Sequence, residues 1–217
     1  MRSDWVPMSA SALVIGAMSL VFGSVLNPAD PGSSTAQTLS VVSQEGARWL
    51  GMAVMYAFAS VTLNLGLPAV LTLFTGRRGH GVALVGVAVF SVGVIGTSGY
   101  AMLMVFFRAT VVAGALRGDQ LADVSHEHGL VFFLIGWIAS FYGGVLLIAV
   151  ALLMSGTTSR WVPLLLLVFV AMLPFAAHLG RVASAVQVMA FAAAFTGIAV
   201  AAVSKADRSP PSGRPVV

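Results

Sequence analysis

The sequence predicts an all-α protein: a polytopic transmembrane helical bundle of six spanning helices with both termini cytoplasmic. Three observations support this prediction. Charged residues make up only 8% of the 217 residues, whereas a soluble domain usually carries about 25%. Hydrophobic residues make up 59%, and the mean hydropathy is +0.98. Several apolar runs also reach the roughly 20 residues that a helix needs to cross the hydrocarbon of a bilayer.

Six apolar runs define the predicted spans, and residues 1–203 are predicted to form a single transmembrane domain. The runs are residues 8–26, 49–74, 82–107, 131–154, 161–179 and 182–203. Arg2 precedes the first run as it would in a signal peptide. No small-x-small cleavage pattern follows that run, so we expect a retained helix. Residues 204–217 are rich in Pro, Ser and Gly and are predicted to be a disordered cytoplasmic tail.

Two prolines interrupt predicted spans. Pro68 and Pro174 each remove the backbone hydrogen bond to the carbonyl four residues earlier, so the second and fifth helices are predicted to be kinked. Kinks in the middle helix of each triplet fit an inverted repeat of the transporter type. A bundle without a repeat is the favoured interpretation, because kinked helices are common in membranes.

Basic residues in the loops predict the orientation. One side collects Arg2, Arg77, Arg78, Arg160, Lys205, Arg208 and Arg214, and the other collects Arg48, Arg108, Arg117 and Arg181. The larger set is predicted to be cytoplasmic, which gives a multi-pass protein of the bacterial cytoplasmic membrane. The basic residues form no stripe with interleaved aromatics, so membrane lipids, and no nucleic acid, are the expected partners.

Residue types limit the chemistry that the chain can perform. The absence of cysteine removes thiolate metal sites, iron–sulfur clusters and a cysteine nucleophile. No predicted span has Asp, Glu or Lys near its centre, which argues against proton pumping and voltage sensing. Haem would need facing histidines within spans, and only His178 qualifies, so no cofactor is predicted. Asp119, Asp123, His126 and Glu127 share one helical face, but a solvated acidic face is the favoured interpretation, and no metal site is predicted.

Polar residues near the outer ends of the spans are the candidate ligand-binding residues. They are His178, Gln187, Tyr100, Arg108, Glu127, His128 and Tyr56. Their similar depth predicts an outward-facing pocket. For His178 the favoured interpretation is a helix-end residue that hydrogen-bonds to a backbone carbonyl or to water, with Arg181 reaching the lipid headgroups. Asn64, in the second span, either polarises a path or hydrogen-bonds across helices.

The layout also resembles a family of bacterial six-helix integral membrane proteins of unknown function. The matching features are an outer loop that ends Ser43-Gln44-Glu45-Gly46-Ala47-Arg48-Trp49-Leu50-Gly51, a basic inner loop Arg77-Arg78-Gly79, and a fourth span that starts near Gly129. The resemblance covers about residues 10–180. It implies the six-helix fold, but no activity and no site residues.

We favour a non-enzymatic membrane protein that binds or transports a small lipophilic molecule through an outward-facing pocket. One alternative is a membrane-embedded enzyme that acts on a lipid or isoprenoid, with Glu127, His128 or His178 as acid and base. Another is an accessory or scaffold subunit that packs through a glycine seam against another membrane protein or a second copy of itself.

Overall fold

The computed structural model describes residues 5–29, 33–115 and 126–208. The described residues are 87% helical and contain no strand, so the predicted all-α class is confirmed. The helices are α1 (Trp5–Leu26), α2 (Thr35–Gln44), α3 (Gly46–Thr72), α4 (His80–Val112), α5 (His128–Ser155), α6 (Trp161–Ala171) and α7 (Leu173–Arg208).

Five of these helices are long and apolar enough to cross a membrane. They are α1, α3, α4, α5 and the Val182–Arg208 part of α7. The sixth apolar stretch, Trp161–Phe175, is shorter. It rises only about 22 Å at 1.5 Å per residue, whereas the hydrocarbon layer is about 30 Å thick. The described bundle therefore has five membrane-length helices and one short apolar helix.

The short helix results from one break within the predicted fifth span, residues 161–179, and a second break directly after it. The first lies just before Pro174, where α6 ends at Ala171 and α7 begins at Leu173. Pro174 has no N–H to continue the backbone ladder and disfavours helical geometry in the preceding residue. The second break is Gly180, with φ 72° and ψ −166°, a conformation essentially restricted to glycine.

Six helices, the five long ones and α6, form a closed ring. Each contacts its neighbours in the order α1, α3, α4, α5, α6, α7 and back to α1, while α2 lies against α3 and α4. We call the end with α2 and the start of α5 the loop end. The opposite end, the basic end, carries Arg77, Arg78, Arg160, Lys205 and Arg208. There the Lys205 ammonium donates to the carbonyl of Thr72 at 2.6 Å.

Helix α2 covers part of the loop end and begins with a capping box. The Ser34 hydroxyl accepts from the Gln37 N–H at 3.3 Å, and the Gln37 side chain accepts from the Ser34 N–H at 2.9 Å. This reciprocal pair satisfies two backbone donors that a helix start leaves open. Val42 is fully buried and packs in one cluster with Trp49 and Met104, which fixes α2 to α3 and α4.

Glycines allow α4 and α5 to cross at close range. A Cβ on Gly93 would lie closer than 3.0 Å to the backbone of Phe141, and one on Gly144 equally close to the backbone of Phe90. Such reciprocal contacts are the usual way that helices associate in a bilayer. Gly136, also on α5, has no heavy atom within 4 Å of its Cβ position and takes no part in this crossing.

Pro68 is accommodated within α3 by a side chain of α1. The Ser9 hydroxyl accepts from the Ala69 N–H at 3.1 Å and lies 2.8 Å from the carbonyl oxygen of Leu65, to which it donates. The Ala69 N–H would bond to that carbonyl in a regular helix. Ser9 therefore bridges a gap in the ladder beside the proline.

Four phenylalanines fill the centre of the ring. Phe90, Phe141, Phe191 and Phe195 are all buried. Their ring centroids are 5.0 Å apart for Phe90 and Phe141, 5.5 Å for Phe90 and Phe195, and 4.2 Å for Phe191 and Phe195. We call this group the phenylalanine plug. It separates the loop-end half of the interior from the basic-end half.

Candidate functional site: an aromatic pocket in the loop-end half

A cavity of about 300 Å³ lies between the helices on the loop-end side of the phenylalanine plug. Its lining is aromatic and aliphatic with a few hydroxyl groups. The lining residues are Leu20, Ser24, Tyr56, Thr97, Tyr100, Trp137, Ile138, Phe141, Tyr142, Phe169, Leu173, Val188 and Phe191. All six ring helices contribute, so the cavity exists only because the ring closes. We call it the tyrosine pocket.

The name reflects the fact that all three tyrosines of the chain line this one cavity. Tyr56 lies about 15 Å along α3 from the first residue of that helix. Tyr100 and Tyr142 lie on α4 and α5. A tyrosine carries a large apolar ring and one hydroxyl group that needs a hydrogen-bond partner when it leaves water. Three of them around one space give an apolar pocket with a small set of polar contacts.

Ring contacts and one hydrogen bond hold the pocket walls in place. Tyr100 stacks on Trp137 with centroids 4.4 Å apart, and Tyr142 stacks on Phe169 at 4.9 Å and an interplanar angle of 5°. The Trp137 indole N–H donates to the Thr97 hydroxyl at 3.0 Å. Contacts of this kind restrict the rings to one rotamer, so the pocket is largely formed before any ligand arrives.

Gln187 supports the pocket from behind. Its buried amide nitrogen donates to the carbonyl of Phe169 at 2.9 Å and lies 3.4 Å from the hydroxyl oxygen of Tyr142. The carbonyl belongs to the last turn of α6, where helix carbonyls lack a partner along the helix. Gln187 therefore compensates for the early end of α6 and also positions Tyr142.

The chemistry of the pocket is that of neutral hydrogen-bond donors. Among the described residues, the hydroxyls of Tyr56 and Tyr100 have no protein hydrogen-bond partner, and the lining contains no Asp, Glu, Lys, Arg or His. Thr97 is already engaged, because it donates to the carbonyl of Gly93 at 3.1 Å as well as accepting from Trp137. The hydroxyls that the described residues leave open are thus those of Tyr56, Tyr100 and Ser24.

Three of the seven predicted site residues meet here. Tyr56 and Tyr100 line the pocket, and Gln187 reaches it through Tyr142. Arg108 lies closer to the loop end, where its guanidinium packs against Gly46 at the start of α3. Its Nε is buried and has no hydrogen-bond partner among the described residues, but the side chain is not part of the pocket lining.

Glu127 and His128 lie exposed at the start of α5, outside the pocket. The Glu127 carboxylate accepts from the Leu130 N–H at 2.7 Å and caps the helix. Hydrogen bonds from the backbone N–H groups of Gly129 and Leu130 lower the pKa of Glu127 below its usual value. This is a structural role that a negatively charged side chain commonly takes at a helix start.

Other candidates fall outside the described residues. His178 lies on the helical segment before Gly180, but its side chain is not among those described, and Asp119 and Asp123 lie in the gap between residues 115 and 126. Within the described residues, no group of three His, Asp or Glu side chains could hold a metal ion.

The sequence left two interpretations for Asn64, and the structure decides between them. Its side-chain oxygen accepts from the Ser91 hydroxyl of α4 at 2.6 Å, and its nitrogen donates to the Ser60 carbonyl at 3.1 Å. Asn64 therefore links α3 to α4 and is not part of the pocket lining.

Four functional residues were not recognised from the sequence: Trp137, Thr97, Tyr142 and Phe169. One signal was present. The chain has only three tyrosines, and Tyr142 is the third. Tyrosine favours an environment with one apolar and one polar side, so three tyrosines placed within spans indicate a shared polar feature. Trp137 and Phe169 carry no comparable signal, because aromatic residues are common throughout the spans.

Comparison with known proteins finds no family model, no curated protein and no solved structure that matches this chain. The resemblance to a six-helix bacterial family thus stays a prediction, and the functional argument depends on the pocket itself.

Proposed function

We propose that this chain is an integral membrane protein that binds a small lipophilic molecule in the tyrosine pocket. One observation carries the proposal: a cavity of about 300 Å³, lined by aromatic and aliphatic side chains with a few hydroxyls, in the interior of an apolar bundle. Small-molecule sites typically have volumes of about 300–1,000 Å³ and combine an apolar lining with a few polar groups that fix the ligand.

Binding is better supported than passage through the bundle. A continuous path from the loop end to the basic end would have to cross the phenylalanine plug, whose four side chains are buried against one another. Transport would require α4, α5 and α7 to separate at this point. The plug therefore supports binding in a pocket that is closed on its basic-end side.

The proposal includes a topology. The chain crosses the membrane six times, with α6 and the short segment after it forming the fifth crossing. The basic end faces the cytoplasm of a bacterial cell, because basic residues concentrate there and short basic loops stay cytoplasmic. Both termini are then cytoplasmic, and the tyrosine pocket faces the outer leaflet.

The catalytic and accessory-subunit alternatives have less support. Glu127 is engaged as a helix cap, and both Glu127 and His128 are exposed and separate from the pocket. An acid and a base must lie within hydrogen-bond reach of the substrate. The unused Gly136 on α5 is the feature closest to a docking seam, and glycine alone identifies no partner.

Native mass spectrometry of the gently solubilised protein tests the binding function. We expect the full chain to carry one small apolar molecule at fixed stoichiometry. Val188→Trp should displace it, since Val188 lines the pocket. Val186→Trp is the matched control, because Val186 lies on the same helix but is 50% exposed on the outer face. Equal retention in both variants, or co-purification of a second polypeptide with an empty pocket, would reject the proposal.

The natural absence of cysteine permits a direct test of topology. Ser43→Cys and Thr75→Cys place single thiols at exposed positions on opposite ends of the bundle. In intact cells, a membrane-impermeant maleimide should label Ser43→Cys and should label Thr75→Cys only after lysis. The reverse pattern would invert the orientation and leave the binding function untouched.

A further inference from the structure

The composition of the tyrosine pocket narrows the class of ligand that it can hold. This inference rests on the proposed binding function and deepens it. Three properties of the lining are informative: its charge, its shape and the state of its hydroxyl groups.

The charge of the lining excludes ionic ligands. None of the described lining residues is acidic or basic. A charged group moved into an apolar interior without a partner of opposite charge costs several kcal/mol. Arg108, on the loop-end part of α4, packs against Gly46 and is not part of the lining. The ligand is therefore uncharged.

The size and the walls of the pocket favour a flat ring system. A cavity of about 150 Å³ accommodates benzene, so about 300 Å³ suits a substituted ring or two fused rings. Tyr100 with Trp137, and Tyr142 with Phe169, provide two rigid aromatic pairs in the lining. Aromatic ligands gain both burial and ring contacts against such surfaces.

The hydroxyl groups call for acceptor atoms on the ligand. Tyr56 and Tyr100 have neighbouring rings, with centroids 6.3 Å apart. Within the described part of the chain, neither hydroxyl has a protein partner. The hydroxyl oxygen of Tyr142 accepts from the Gln187 amide, so the Tyr142 hydroxyl can still donate its own proton. An unpaired hydroxyl in an apolar site is unfavourable, and a carbonyl oxygen on the ligand would remove that penalty.

We infer that the tyrosine pocket takes a flat, uncharged ring system that bears carbonyl oxygens, held by hydrogen bonds from Tyr56 and Tyr100 and by the aromatic walls. Two sources share this chemistry: the headgroup of a membrane quinone and a free aromatic ketone. A membrane quinone would also have an isoprenoid tail outside the pocket, whereas a free compound would have no tail.

The experiment measures equilibrium binding of radiolabelled menadione, a naphthoquinone without a tail, to the full chain in lipid nanodiscs, with empty nanodiscs subtracted. We expect saturable binding. 2-Methylnaphthalene, which has the same fused rings and no carbonyl, should bind at least about 10-fold more weakly in competition. The negatively charged 1,4-naphthoquinone-2-sulfonate should also compete at least about 10-fold more weakly than unlabelled menadione.

Variants connect the binding to the two hydroxyls. Tyr56→Phe and Tyr100→Phe keep the rings and remove one donor each, so each should weaken menadione binding about 3- to 10-fold and leave 2-methylnaphthalene binding unchanged. Thr196→Val is the control, because the Thr196 hydroxyl bonds to the Ala192 carbonyl at 2.8 Å away from the lining. A menadione analogue with one isoprenoid unit separates the two sources: tighter binding indicates a membrane quinone, and equal or weaker binding a free compound.

The outcomes separate this inference from the proposed function. If 2-methylnaphthalene binds as tightly as menadione and the tyrosine variants change nothing, the ligand class is wrong and apolar binding stands. Undiminished binding of the sulfonate would overturn the inference that the ligand is uncharged. If neither neutral compound binds saturably and Val188→Trp has no effect on co-purified molecules, both proposals fail.

Discussion

The two halves of the bundle use aromatic side chains differently. Towards the basic end, Phe90 and Phe195 of the phenylalanine plug are completely enclosed. We call this side of the bundle the packed half. Towards the loop end, three tyrosines and a tryptophan join phenylalanines around a cavity of about 300 Å³. A bundle in lipid gains little from hydrophobic association alone, so its stability comes from close packing and hydrogen bonds between helices. Close packing in the phenylalanine plug therefore offsets the contacts that are missing at the tyrosine pocket.

The largest effect should come from opening the packed half. Phe195→Ala removes a fully buried ring that contacts both Phe90 and Phe191, and such truncations cost about 3–5 kcal/mol. Leu20→Ala, beside the existing pocket, should cost about 2 kcal/mol or less, since Leu20 is only partly buried. Unfolding in mixed micelles with increasing dodecyl sulfate measures both free energies. Equal losses would contradict the difference between the halves.

A second prediction concerns the α4–α5 crossing that holds the packed half together. Gly93→Ala places a methyl group closer than 3.0 Å to the Phe141 backbone, and backbone cannot move aside as a side chain can. We expect a loss of about 2–3 kcal/mol in the free energy of unfolding. Gly136→Ala is the control on α5, where nothing lies within 4 Å. It should be neutral or slightly stabilising, because alanine favours the helix.

Ser9 provides a third test, since it closes the interruption beside Pro68. Ser9→Ala leaves the Ala69 N–H without its acceptor and should lower the free energy of unfolding by about 1–2 kcal/mol. Adding Pro68→Ala should recover most of this loss, because the restored ladder satisfies the Ala69 N–H through Leu65. The same micelle titration applied to the double variant decides the matter. A strictly additive double variant would show that Ser9 contributes through packing alone.

Much of the fold was predictable because membrane crossing imposes a length on apolar runs. The observed helices α1, α3, α4 and α5 include most of the corresponding runs. The fifth run was different. Pro174 predicted a kink in this run. The apolar residues of the run did not predict that α6 would end at Ala171, because hydropathy does not depend on backbone conformation.

The sequence predicted the depth of the site residues in the bundle, but not the direction in which their side chains face. Sequence position placed Tyr56, Tyr100 and Arg108 at a similar height in the bundle. Which of them face one cavity depends on the rotation of each helix within the ring, and that rotation is set by long-range contacts such as Gly93 on Phe141. Trp137 and Phe169 became visible as site residues only when α5 and α6 came together.

The smallest predicted effect lies at the loop end, where α5 depends on an exposed cap instead of the buried contacts of the packed half. Hydrogen bonds from Gly129 and Leu130 lower the pKa of Glu127 in the folded state. The carboxylate therefore contributes stability that is fully present above about pH 4.3, the ordinary glutamate value. This contribution is lost as the pH falls through the lowered folded pKa. The thermal midpoint of the natural chain should fall slightly more between pH 6 and pH 3 than that of Glu127→Gln, which has no charge to lose. Identical pH profiles would mean that the cap at Glu127 adds nothing measurable and that α5, like the helices of the packed half, is held by its buried face alone.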